Sequence, residues 1–182
     1  MRDMTASNLR SAYGGESMAH MRYLAWADKA EQDGFPNVAR LFRAISFSEQ
    51  LHATNHFLAM KDVKGGFNVT AGGGFGVGGT LEQLKGAIEG ETFEVNEMYP
   101  VYIEAAKLQD EKAALRSMTW AVAAEKVHAA LYDKSRQAVE AGKDVALGAV
   151  YVCERCGYTA EGGAPDRCPV CGSPRERFKP FA

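Results

Sequence analysis

The sequence predicts an all-α four-helix bundle followed by a small metal-knuckle domain, divided as residues 1–147 and 148–182. Three observations carry this. Four long stretches between residues 5 and 141 repeat apolar residues at steps of three and four, the period of a helix with one buried face. The second and third stretches are separated by a glycine-rich connection, 65–79. All four cysteines fall between Cys153 and Cys171, as two Cys-x-x-Cys pairs.

The first helix is expected over Thr5–Gln32, ending before Asp33-Gly34. The second opens at Pro36, which suits a first helical position, and runs to Val63. The third starts at Thr80-Leu-Glu-Gln83, read as a Thr/Gln capping box, and reaches Leu108 with a kink at Pro100. The fourth spans Glu111–Ala141 and stops at Gly142. Short connections near Gly34 and Asp110 make two hairpins. Between them lies Gly65–Gly79, with GGG at 72–74. A helix of about 28 residues is about 42 Å long, and fifteen extended residues reach about 50 Å. The connection can therefore run the length of the bundle and start helix three parallel to helix two. One long crossover is the ferritin-like signature. A phosphate cradle would need a Gly-Lys-Ser/Thr ending, which is missing, so a flexible connection is expected.

Composition narrows the function. Of 182 residues, 46% are hydrophobic, enough for a core, and 21 Lys and Arg against 23 Asp and Glu leave a net charge of −2. That balance argues against a nucleic-acid partner. The N-terminus has no apolar signal region, and no run approaches the ~18 apolar residues of a membrane span, so a cytoplasmic location is expected. In such a chain, paired cysteines point to a metal rather than to disulfides.

The inward stripes carry the chemistry. Helix one presents Leu9, Ala12, Glu16, Ala19 and Tyr23; helix two presents Phe42, Ile45, Glu49, His52 and His56. Helix three presents Leu84, Ala87, Glu91, Glu94 and Met98; helix four presents Leu115, Met118, Val122, Glu125 and His128. Each stripe is acidic near the midpoint of its helix, so the acids of all four meet at one level. Any one glutamate alone is better read as part of a solvated face, because carboxylates are seldom buried unpaired. All five together would need four independent phase errors. Glu49-x-x-His52 and Glu125-x-x-His128 also repeat one pattern. Two such helices, plus a glutamate from each of the others, make the ligand set of di-iron and di-manganese carboxylate bundles. Five carboxylates bring −5, and two divalent ions return +4. Buried Tyr23, Tyr99 and Tyr102 are expected to donate hydrogen bonds to ligating carboxylates. His20 and His56 lie one turn beyond proposed ligands, where a surface or packing role is favoured over a supporting one. Trp26 and Trp120 are read as packing or interface residues.

Residues 151–181 are too few to build a core unaided. A metal held by Cys153, Cys156, Cys168 and Cys171 would supply one, with Gly157 and Gly172 permitting the tight turns. Four thiolates suit zinc or iron, and spacing alone favours zinc. A redox-active neighbour needs an electron source, which zinc is not, and this tips the reading to iron.

Several motifs then fall into one order along the chain: Gly15-Glu-Ser-Met-Ala-His-Met-Arg-Tyr23, Glu49-Gln-Leu-His52, Gly90-Glu-Thr-Phe-Glu94 followed by Met98-Tyr-Pro100, Ala124-Glu-Lys-Val-His128, Cys-x-x-Cys-Gly-Tyr and Cys-Pro-x-Cys-Gly. In them the sequence resembles rubrerythrin over nearly its whole length. The resemblance implies a ferritin-like di-iron bundle with a rubredoxin-like iron module, and a peroxidase reducing hydrogen peroxide to water. It further implies that Glu49 and Glu125 bridge the irons, that Glu16 ends one coordination sphere, and that Glu91 and His128 belong to the other. Glu94 and His52 match positions that exchange on one iron with redox state, and Tyr23 and Tyr99 match supporting tyrosines. It also implies a homodimer in which the module of one subunit lies near the di-iron site of the other. Three departures stand out: His20 replaces an expected arginine, the glycine-rich crossover leaves open whether helix pairs exchange between subunits, and the span between the cysteine pairs is short, as in the rubredoxin module of rubrerythrins rather than in free-standing rubredoxin.

Independently of the family, cleaving the O–O bond to water takes two electrons, which a pair of ferrous ions can give in one event. No dinucleotide fingerprint is present, so a separate redox protein or reductase is the expected electron donor, with NADH acting through it. Rival readings are a ferroxidase on the same bundle, a zinc-ribbon adaptor, and a di-iron oxygenase. The last would need a cavity beside the metals, where the stripes look filled.

Overall fold

The computed structural model describes residues 1–76 and 78–182. Helices α1 (Asp3–Gln32) and α2 (Pro36–Ala59) form the first hairpin. The second consists of α3 (Thr80–Phe93), a π turn (Glu94–Met98), α4 (Tyr99–Leu108) and α5 (Lys112–Glu140). Gly34, at φ 85°, makes the first reversal in a conformation that glycine adopts without strain.

Three expectations about the helices change. The third helix is not one kinked rod. Pro100 has no N–H for the carbonyl four residues earlier, and the chain widens one turn, with the Tyr99 amide donating to the Glu94 carbonyl five residues back. The second helix ends at Ala59 rather than Val63, because the chain tightens into three-residue turns such as Val63 N–H to Met60 O, 2.7 Å. The capping box is also placed differently. Glu82, not Gln83, reaches back to the Gly79 amide at 3.1 Å, while Gln83 donates to the Gly78 carbonyl at 3.0 Å. The Thr80 amide and hydroxyl both donate to Asp33 Oδ2, at 3.1 and 2.8 Å, so the α1–α2 turn caps α3.

The crossover follows α1 from one end to the other. Arg10 stacks over Phe67, Ser11 donates to the Thr70 carbonyl at 2.9 Å, and Arg22 reaches the Gly74 carbonyl at 3.4 Å. A Cβ on Gly14 would lie 2.6 Å from Val69 Cγ1, so only glycine admits this approach. The path thus runs antiparallel to α2 and starts α3 parallel to it.

Two apolar clusters fill the bundle. One gathers Trp26, Phe42, Ile45, Leu84 and Tyr132, the other Leu9, Met60, Tyr99 and Met118. Each fully buried side chain of this kind contributes about 1.5–3 kcal/mol of transfer free energy. Trp26 is therefore a packing residue. Strands β1 (Val150–Cys153), β2 (Thr159–Glu161) and β3 (Phe178–Phe181) form an antiparallel sheet in the order β2-β1-β3. The link before it is tied to α2: Asp144 accepts from the amides of Asn37 (2.8 Å) and Val38 (3.3 Å), and Arg40 donates to the Leu147 carbonyl at 2.7 Å. Among the described residues no helix is long and apolar enough to cross a membrane.

Candidate metal centre

Between the apolar clusters lies a layer of buried acids and histidines. Two groups form there, each with its ligand atoms within 4.8 Å of one another. One is Glu16, Glu49, His52 and Glu125; the other is Glu49, Glu91, Glu125 and His128. All six residues are at most 2% exposed. Glu49 and Glu125 belong to both groups, so the arrangement is two four-residue nests sharing an edge.

The hydrogen bonds say which atoms point inward. Ser48 Oγ donates to the Gly157 carbonyl at 2.6 Å, so it can only accept from His52 Nε2, 3.4 Å away. Thr159 Oγ1 donates to the same carbonyl at 3.2 Å and accepts from His128 Nε2 at 2.9 Å. Both rings therefore carry a proton on Nε2 and turn Nδ1 into the centre. His52 Nδ1 lies 2.8 Å from both Glu49 Oε2 and Glu125 Oε1, and His128 Nδ1 lies 2.6 Å from Glu125 Oε2.

The carboxylates are held from behind. Tyr23 donates to Glu91 Oε1 at 2.8 Å, and Tyr99 donates to Glu16 Oε1. Behind Tyr99 stands His56, missed as a supporting residue: it is fully buried, with Nε2 2.8 Å from the phenol oxygen and Nδ1 2.8 Å from Ser117 Oγ. Since the phenol donates to Glu16, His56 must donate to the phenol and accept from Ser117, giving one directed chain that ends on Glu16. Tyr102 does not share this role; its hydroxyl meets Ser11 at 3.2 Å. His20 bonds Ser46 and has a packing role. Tyr132 was also overlooked; it is buried beside Tyr23, with an unpartnered hydroxyl.

A metal pair fits this chemistry. Glu16 Oε2, Glu49 Oε1, Glu91 Oε2 and Glu125 Oε1, one oxygen from each carboxylate of the two groups, are buried and face no donor other than the inward-turned Nδ1 atoms of His52 and His128. Orphaned acceptors at this density are costly unless cations take them. Glu94 lies outside both groups. It is half-buried on the π turn and lines a cleft of about 820 Å³ between α1, α3 and the crossover. The expectation of a filled surround is thus corrected at this one residue.

Burial and charge crowding displace the pKa values of these groups. Burial and the Glu49 carboxylate raise Glu125 to about 8. Burial, then Glu91, raises Glu49; burial, then Glu16, raises Glu94 well above the carboxylate range. Burial depresses His52 and His128, but the surrounding carboxylates together outweigh it, Glu125 foremost at His52 and Glu49 foremost at His128, and hold both well above the usual histidine range. For every raised group the proton favours the fold, so its stabilisation is full below the ordinary value and lost as pH rises through the folded one. Glu16 and His56 are lowered and act oppositely, only below their ordinary values of 4.5 and 6.5, and Cys153, lowered to about 5 by its Cys156 contact, opposes below its ordinary 9 as one group against five. Between about pH 6.5 and 8 the metal-free protein will therefore lose stability as pH rises, while the gain in Tm on adding a divalent metal grows, because binding displaces those protons. Melting curves of both forms across this range check it; a metal-free Tm that climbs with pH contradicts it.

The cysteines form the second centre. Cys153 and Cys171 sulfurs lie 3.6 Å apart, and those of Cys156 and Cys168 lie 3.5 Å apart. A tetrahedron with ~2.3 Å metal–sulfur bonds has edges of about 3.8 Å; a disulfide bond is about 2.05 Å. The two knuckles match: Gly157 donates to the Cys153 carbonyl and Gly172 to the Cys168 carbonyl, each at 2.9 Å, at φ 82° and 72°. The first knuckle presses onto the bundle. A Cβ on Gly157 would lie 2.6 Å from Ser48 Oγ and closer still to His52 Nε2, and Asn55 donates to the Arg155 carbonyl at 2.9 Å. Within the chain the module thus seats on the bundle.

Comparison with known proteins agrees with both centres. The rubrerythrin family model matches residues 7–136, and the rubrerythrin rubredoxin-like domain model matches residues 151–179. The chain belongs to the rubrerythrin family. This rubrerythrin-family chain is 47% identical to rubrerythrin-2 of Clostridium acetobutylicum, over 98% of its length and 97% of the relative. It is 31% identical to nigerythrin of Nitratidesulfovibrio vulgaris, over 97% and 86%. A structure described as fully reduced, all-ferrous nigerythrin superposes with a TM-score of 0.85 at 29% identity, covering 97% of this chain and 86% of that one. The fold is the ferritin-like bundle with a C-terminal cysteine knuckle, and the donor sets are those of a carboxylate-bridged di-iron site and a tetrathiolate iron site.

Proposed function

We propose that this chain is a non-haem di-iron peroxidase, reducing hydrogen peroxide to water with electrons delivered through its cysteine site. The observation that carries the reading is the Gly157 carbonyl, next to Cys156, bonded through Ser48 and Thr159 to the backs of both histidines. A cysteine knuckle wired to both ligand sets of a metal pair suits stepwise refilling with electrons. The all-ferrous state of the similar nigerythrin structure supports iron at these positions.

When bound, the iron pair supplies the two electrons that, with two protons, convert one peroxide into two waters. Glu49 and Glu125 would bridge, Glu16 with His52 would complete one ion, and Glu91 with His128 the other. Tyr99 and Tyr23 hold Glu16 and Glu91 by the oxygen turned away from the centre, so those carboxylates meet the substrate already oriented. The apolar clusters on either side exclude bulk water, which strengthens every interaction within the layer. Glu94 lines the cleft and stands apart from the ligand groups, where its carboxyl can carry a proton inward or replace His52 as a ligand.

The test separates the two centres. Cys153→Ser will leave a single reduction of peroxide by the pre-reduced protein intact, while steady-state turnover with an electron donor drops at least a hundredfold. Undiminished turnover refutes the wiring.

A further inference from the structure

The ligand residues of the bundle are at most 2% exposed, so an ion needs a way in. Apolar clusters close both ends of the layer. The cysteine module closes the side on which it seats, with Gly157 against Ser48 and His52 and Thr159 on His128. Between α1 and α3 the crossover leaves the cleft of about 820 Å³. Its lining includes Gly15 and Gly90, the chain neighbours of Glu16 and Glu91. Glu94 lines it too, close enough to the centre to feel the charge of Glu16.

Space and charge in this lining have one sense. Helix interiors disfavour glycine, and neither Gly15 nor Gly90 has the positive φ that would require it. A Cβ at either position would meet nothing within 4 Å, so what the missing side chains leave is open space beside two ligands. Glu82 and Glu89 are exposed on the same cleft and form no ion pair among the described residues. Lys85 on that helix is turned to Glu140 at 3.7 Å. Arg22 is the one cation among the described lining residues; it reaches the Gly74 carbonyl at 3.4 Å and lies 5.2 Å from the Trp26 ring centroid. Gln83, 2% exposed, lines the cleft with a buried Oε1 that has no hydrogen-bond partner. Amide and carboxylate oxygens are cation ligands. A neutral peroxide gains nothing from unpaired acids, whereas a divalent ion is drawn by them.

We propose that this cleft is the route by which divalent iron enters the bundle. Glu82 and Glu89 draw the cation to the mouth, Gln83 and Glu94 offer oxygens along the way, and the gap at Gly15 and Gly90 opens onto Glu16 and Glu91. The inference rests on the metal pair described above and adds its path of loading. No electron moves on this path: the ion stays ferrous, and each protein oxygen replaces a water of its hydration shell. The cysteine site lies outside the route, with Cys171 only partly buried, so its loading serves as a control within the same chain.

In the experiment the metal-stripped full chain is mixed anaerobically with ferrous ion, quenched with a chelator at intervals, and desalted. The ferric–thiolate band that develops on later oxidation counts the cysteine iron, and the rest of the retained iron is in the bundle. Gly90→Leu, which fills the gap, is expected to slow bundle loading about tenfold or more. Glu82→Gln with Glu89→Gln slows it about threefold or more at an ionic strength of about 0.01 M, and removes the fall in rate that the unaltered chain shows towards about 1 M. The cysteine iron loads at one rate in all of these proteins, and each ends with both bundle ions. The glutamine pair, at exposed positions, carries the test if leucine disturbs the helix. Bundle loading at the unaltered rate in both variants overturns the route. So does a loading rate indifferent to salt and to the acids. A Gly90→Leu protein that loads normally but, once loaded, reacts slowly with peroxide overturns it as well, because the cleft is then a substrate channel. If the unaltered chain retains no bundle iron, the metal pair itself is refuted, a failure distinct from that of the route.

Discussion

Replacing Glu125 with alanine is expected to cost the bundle both of its metal ions, whereas replacing Glu16 costs only one. Glu125 contributes to both ligand groups and Glu16 to a single group. The remaining groups around the Glu125 position would be asked to hold two cations with too little negative charge between them. A ligand present at a thousand times its Kd stabilises the fold by about 4 kcal/mol. At this chain length, losing that shifts Tm by on the order of 10 °C. The metal-free stability changes far less, because deletion also removes one of the carboxylates that repel each other in the empty centre. Metal content measured after anaerobic loading and desalting decides it. A Glu125→Ala protein that keeps one tightly held bundle ion would mean that the two nests are independent.

The second large effect is expected at Gly157. Alanine there meets two obstacles: φ is 82°, and its Cβ would press into Ser48 and the back of His52. Gly34→Ala provides the control, since φ is 85° there with nothing near the added carbon. Backbone strain alone costs roughly 1–2 kcal/mol, and both variants bear it. Only Gly157→Ala must also push the knuckle off the bundle. Both centres are then expected to load with metal, while electron transfer between them slows at least tenfold; Gly34→Ala leaves that rate unchanged. Equal rates in the two variants would show that the Gly157 contact has no part in the coupling.

What the sequence made legible follows from how each feature is written. Glu16, Glu49, Glu91 and Glu125 could be located because helical periodicity fixes a face, and acids on an apolar face need a cation. Cys153 to Cys171 could be located because ligand spacing is local. The π turn was not legible: Pro100 announces a disturbed helix, but whether the chain kinks or widens depends on how α4 packs against α5. His56 shares the stripe of Glu49 and His52, so its burial could have been read, yet its partners Tyr99 and Ser117 come from two other helices. Tyr102 was misjudged for the converse reason. It lies one turn beyond Tyr99, and its hydroxyl reaches Ser11 on α1 instead of the centre. The seat of Gly157 on His52 joins distant parts of the chain, and no local pattern encodes it.

Anaerobic peroxide titration of the fully ferrous protein, with iron content determined on the same sample, tests the central claim most directly. Three irons per chain are expected, two in the bundle and one among the cysteines. The first equivalent of peroxide should oxidise the bundle pair with no hydroxyl radical trapped, and the red ferric–thiolate colour should follow as that pair is refilled. One iron per chain, with peroxide reacting only at the cysteine site, would show that the buried glutamates hold no catalytic pair.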